Sequence, residues 1–114
     1  MSLPTCFLSQ LPEVDDRDLV ICMDAQVVDR DALFDEYSRK LNFPDYFGRN
    51  WDAFKDCIND FSWIEQRRVI LCYSSLPKLP PADLGIFVSQ MEDAILRSRS
   101  DPRPELILVV EQAS

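Results

Sequence analysis

Acidic side chains are the groups of this sequence best placed to do chemistry. Asp52, Asp56 and Asp60 recur every fourth residue, so on a helix they would share one face. Such a stripe has two chemical uses. It can help to hold a divalent cation such as Mg²⁺ for a hydrolytic reaction, or it can present fixed negative charge to a basic partner. The first use needs ligands converging from other elements, and a single helix stripe does not supply them. A solvated helix face that does no chemistry is the alternative to both. Asp52 and Asp56 oppose each other as like charges at i,i+4, a cost of about 0.2–0.5 kcal/mol. Lys55 offsets part of that cost through Asp52 at i,i+3. Asp52 has a structural reason to be there, because a carboxylate in the first turn meets the positive end of the helix dipole. Asp56 lies a turn further in and has no such reason.

Other reactive groups are scarce. The chain has no histidine, which removes the commonest general base, nucleophile activator and zinc ligand together. Gly48 and Gly85 are its two glycines, so a glycine-rich phosphate loop is absent. Cys6, Cys22, Cys57 and Cys72 are widely spaced with no CxxC pair. Cys22, Cys57 and Cys72 sit in apolar contexts and read as reduced, buried core thiols. Neither a metal nor a cofactor is called for, and the chain reads as a non-enzyme.

The whole-chain balance agrees. The 114 residues carry a net charge of −8 and a pI near 4.4. That charge repels phosphate backbones and anionic membranes, and it attracts basic partners in a salt-dependent way. Solubility alone is the plainer reading of it. Hydrophobic residues make up 46% of the chain, enough for one cored domain. The N-terminus shows no basic, then apolar, signal pattern, and no apolar run approaches the ~20 residues of a membrane span. The expected location is cytoplasmic.

The elements that must position these residues follow from periodicity. Residues 1–17, with Pro4 and Pro12, read as an irregular, loosely packed extension, and 18–114 as the domain. Residues 18–24 form a short apolar run that suits a buried strand. Leu33, Phe34, Tyr37 and Leu41 then fall at helical spacing, with Asp29 or Asp31 as the cap and Arg39 and Lys40 at the negative end. Pro44 ends the helical region, and Gly48 is the residue free to adopt a positive backbone angle. Asn50 is expected to cap a helix whose Trp51, Phe54, Ile58 and Phe61 face the core, with Cys57 near them. Asp52, Lys55, Asp56 and Asn59 take the opposite face. Residues 67–73 read as a second strand, and 74–85 as a proline-rich loop. A third helix from Asp83 to Arg97 points Ile86, Phe87, Met91, Ala94 and Ile95 inward. The last strand is ELILVVE. Trp63 and Tyr73 are expected to be buried. Apolar strands alternating with helices predict an α/β fold, a small three-stranded parallel sheet covered by three or four helices.

The run Phe43-Pro44-Asp45-Tyr46-Phe47-Gly48, then Asn50, Trp51-Asp52-Ala53-Phe54 and Asp56-Cys57, resembles the signature of the barstar family without a gap. The order of elements from residue 18 to residue 110 is also similar to that family. The resemblance implies a barstar-like inhibitor, a bacterial immunity protein that neutralises a toxin by blocking the active site of a basic ribonuclease. It implies a 1:1 complex of a monomer. Carried over by motif position, Asp56 stands in for the scissile phosphate and Asp52 is a second acidic contact. Tyr46 packs on the nuclease, Gly48 offers backbone contacts and Asn50 caps the helix. A glutamate contact on the family's last helix has Asp93 or Glu92 as its counterpart here. Two charges depart from the pattern. Lys55 replaces a surface tryptophan, and Arg49 replaces an acid. They motivate the alternative expectation, an interaction module of the same fold with a non-nuclease partner.

Overall fold

The computed structural model describes residues 4–45, 47–100 and 104–111. Three parallel strands form one sheet in the order β1-β2-β3, with β1 Asp18–Cys22, β2 Arg68–Tyr73 and β3 Glu105–Val110. Helices α1 Arg30–Leu41 and α2 Trp51–Asp60 connect β1 to β2, and α3 Pro81–Ser98 connects β2 to β3. Each crossover steps to the next strand in the same direction. Right-handed connections therefore put all three helices on one face.

The register shows which face that is. Leu19, Val69 and Leu106 align across the sheet, as do Ile21, Leu71 and Leu108. All six belong to or pack on the core, which also holds Phe34, Tyr37, Phe54, Phe87 and Met91. The alternate residues, Val20, Ile70 and Ile107, then Cys22, Cys72 and Val109, point to the face without helices. The expected sheet is present, but helices cover one side of it.

That arrangement corrects two expectations. Cys22 is exposed rather than buried, because its strand lies at the sheet edge and its side chain is on the helix-free face. The described residues of the N-terminal segment contain no helix or named strand, yet they are packed, with Cys6 and Phe7 in the core. Leu8 bridges β3 in parallel at Val109. Its N–H donates to Leu108 O at 2.9 Å, and its carbonyl accepts from Val110 N–H at 2.8 Å. At the far edge, Arg67 N–H donates to Arg17 O at 2.9 Å. The segment enters beside β3 and leaves into β1, so it crosses the helix-free face. There the Arg68 guanidinium donates to Glu13 O at 2.7 Å and grips Asp18 through both carboxylate oxygens, at 2.8 and 2.7 Å. The side chain of Asp18 is fully buried, and this pairing holds its carboxyl well below the usual range.

The helices start and stop for local reasons. Asp29 caps α1 by accepting Ala32 N–H at 2.8 Å. Asn42 ends it in the left-handed region at φ 53°. Helix α3 begins at Pro81 rather than Asp83, because proline suits a first helical position where no N–H bond is required. Phe87, Met91, Ala94 and Ile95 are buried as expected, whereas Ile86 is 38% exposed. Tyr73 is buried, and its hydroxyl meets that of Tyr37 at 2.7 Å. Trp63 is half-buried, and its indole N–H donates to Leu41 O at 2.8 Å.

Candidate interaction face

The loop from Phe43 to Asn50 is seated by aromatic rings. Phe43 lies edge-on to Phe47 at 5.0 Å and to Trp63 at 6.1 Å between centroids. Phe47 meets Phe34 edge-on at 5.6 Å. Phe47 N–H donates to Pro44 O at 2.9 Å and closes a tight turn. Tyr46 lies outside the described residues.

Arg49, and not Gly48, takes the left-handed backbone conformation, at φ 54°. The guanidinium explains why a non-glycine residue is held there. It donates to Asp35 Oδ1 at 2.6 Å and to Asp31 O at 3.3 Å, which ties the loop to α1. The Arg49 charge is therefore turned onto the protein's own helix. The role of Gly48 is close approach. A Cβ there would come 3.3 Å from the side-chain nitrogen of Asn50.

Asn50 then starts α2 as expected. Its Oδ1 accepts Ala53 N–H at 2.8 Å while its own backbone stays extended. Helix α3 fastens the same turn. Trp51 Nε1 donates to Asp83 Oδ1 at 3.3 Å, and Gln90 Nε2 donates to Trp51 O at 3.2 Å. Phe54, Cys57 and Ile58 are buried, which fixes the face that α2 turns to solvent. Its outer face carries Asp52, Lys55 and Asp56, all exposed. Among the described residues none of these three forms an ion pair. Asn59 sits at the edge of this face, and its amide donates to Lys55 O at 2.8 Å.

Beside Asp56 the structure has a cleft of about 160 Å³ lined by Phe47, Ala53, Asp56, Cys57 and Asp60. Its floor is apolar and its rim holds the two carboxylates. Burial pushes the Cys57 thiol up, and Asp60 and then Asp56 add to the shift, so Cys57 stays a neutral floor residue. Sequence periodicity paired Asp60 with Asp56 but did not place Phe47 beside them. The Pro44–Phe47 turn brings Phe47 there, and no spacing rule encodes that.

Asp93 stands apart from this cluster. It lies one turn beyond Gln90 on α3, and Arg97 pairs with it at 3.0 Å. Glu92 lines a different cleft with Leu79, Leu84 and Val88. Among the described residues no three His, Cys, Asp or Glu side chains are grouped to hold a metal ion. Asp52, Asp56 and Asp60 project from one helix, and the Ser62 hydroxyl donates to Asp60 at 3.2 Å. No described helix is long and apolar enough to cross a membrane.

Two comparisons bear on the chain as a whole. A family model described as "Barstar (barnase inhibitor)" matches residues 18–110. A Bacillus subtilis (strain 168) protein named "Putative ribonuclease inhibitor YrdF" is 26% identical over 81 residues, which cover 71% of this chain and 85% of that protein.

Proposed function

The chain belongs to the barstar family, and from that premise we propose that it is a stoichiometric, non-catalytic inhibitor of a basic ribonuclease. The observation that carries this reading is the pair Asp52 and Asp56, exposed and without an ion pair among the described residues, on a helix anchored by its buried Phe54, Cys57 and Ile58. A cleft built for an RNA phosphate is positive. A fixed carboxylate complements it, and the ordering cost on binding is small because the helix is already held. In this reading Asp56 is the central contact and Asp52 the second. Tyr46 and the Gly48 backbone meet the partner from the loop. Asn50 contributes by setting the helix start, and Asp93 is a peripheral contact that must compete with Arg97.

Titration calorimetry against a barnase-type ribonuclease tests this directly. The expected result is a 1:1 complex that Asp56→Ala weakens by at least about 2 kcal/mol, the scale of an interface hot spot. Unchanged affinity in that variant would remove Asp56 from the site. Lys55 favours a second reading, a different partner on the same face, because a cation beside Asp56 opposes a basic cleft. No binding to any ribonuclease, together with recovery of a partner that Asp56→Ala loses, would select it.

A further inference from the structure

Cys22 and Cys72 are direct neighbours in the parallel register of β1 and β2. Paired residues of adjacent parallel strands point to the same face, with Cα atoms about 4.8 Å apart. That separation lies inside the window that disulfides occupy, about 4.4–6.8 Å. Both thiols are free, Cys22 is exposed and Cys72 half-buried, and both lie on the face without helices. Lys40 also marks this corner, where its ammonium donates to Cys22 O at 2.8 Å. The other two cysteines are buried in the core, so this pair is the one that solvent reaches.

We propose that Cys22 and Cys72 form a reversible dithiol site that closes to a cross-strand disulfide by exchange with a low-molecular-weight disulfide. The chemistry balances in two steps. The Cys22 thiol, losing its proton to solvent, attacks the small disulfide, forms a mixed disulfide and releases one small thiol. The Cys72 thiol then attacks the Cys22 sulfur, loses its own proton and expels the second small thiol. Exposure assigns the order. Burial pushes the Cys72 thiol up, with Cys22 and Glu111 adding to it, so Cys72 is the resolving and not the entering thiol. The closed form ties together both ends of residues 23–71, the segment that holds α1, the loop and α2. Oxidation therefore staples the free edge strand and the helices that follow it, away from the acidic face itself.

The test uses the reduced full chain in native buffer with oxidised glutathione, then thiol blocking and tryptic digestion without reductant. Cleavage puts Cys22 on peptide 18–30 and Cys72 on peptide 69–78, with Cys6 and Cys57 on separate peptides. The expected product is 18–30 linked to 69–78. It should be reversed by dithiothreitol, absent in Cys22→Ser and retained in Cys6→Ser. Cys72→Ser should stop at glutathione on Cys22. The oxidised wild type should melt several degrees higher than the reduced. A wild-type mixed disulfide that never resolves, a link to any other cysteine, or no reaction would each overturn the proposal. The wild-type map decides this even where a serine variant folds poorly.

Discussion

Lys55 stands one residue from Asp56 and three from Asp52, exposed and without an ion pair among the described residues. Its charge subtracts from the field that the two carboxylates project. Under the inhibitor reading, Lys55→Ala should speed association with a basic ribonuclease and tighten it by up to about 1 kcal/mol, the scale of an exposed charge. Stopped-flow association at low and high salt measures this, and a slower association would argue for an acidic group on the partner opposite Lys55. Arg49 differs because its charge is engaged by Asp35. Arg49→Ala should act through loop order, raising the dissociation rate more than it changes the association rate, and a charge-swapped Arg49→Asp, Asp35→Arg pair should recover part of the loss. Surface plasmon resonance separates the two rates.

At the scale of elements, two devices hold the face and the sheet. Asn50 supplies the cap of α2, so Asn50→Ala should cost about 1 kcal/mol of unfolding free energy in urea. It should also weaken binding, because the capped turn carries Asp52. Asp18 locks β1 to β2 through Arg68. Its folded carboxyl titrates below its unfolded value, near 3.9. The stabilisation is therefore complete above pH 4 and is lost as the pH falls toward the folded value. The thermal midpoint should drop between pH 4 and pH 2, and Asp18→Asn should flatten that part of the profile while lowering the midpoint at pH 7.

For the whole molecule, the consecutive strand order decides the architecture. It places every helix on one face and leaves the other to the N-terminal segment. Phe7 anchors that segment in the core. Phe7→Ala should destabilise the fold by about 3 kcal/mol, the cost of emptying a buried aromatic site, which is more than a loosely packed extension would lose. Equilibrium urea denaturation gives the number. The charge of −8 acts at the same scale, and association with a basic protein should slow steeply as salt rises from 50 to 300 mM, because screening shortens the reach of the field.

Local rules were enough to read the three strands, the three helices, the Asn50 cap and the outward set Asp52, Lys55 and Asp56, because periodicity and capping depend on residues within a few positions of one another. Tertiary structure alone decided the rest. Arg49 looked like a presented cation until α1 brought Asp35 within 2.6 Å. The positive backbone angle fell on Arg49 and not on Gly48, since the guanidinium contacts hold a conformation that glycine only permits. Cys22 sat in an apolar run, yet strand order put it at an edge, on the face without helices, beside Cys72. Phe47 joined Asp56 and Asp60 through a turn. Each of these depends on contacts between residues far apart in the chain, and a pattern that repeats every two or four residues carries no information about which distant segments will meet.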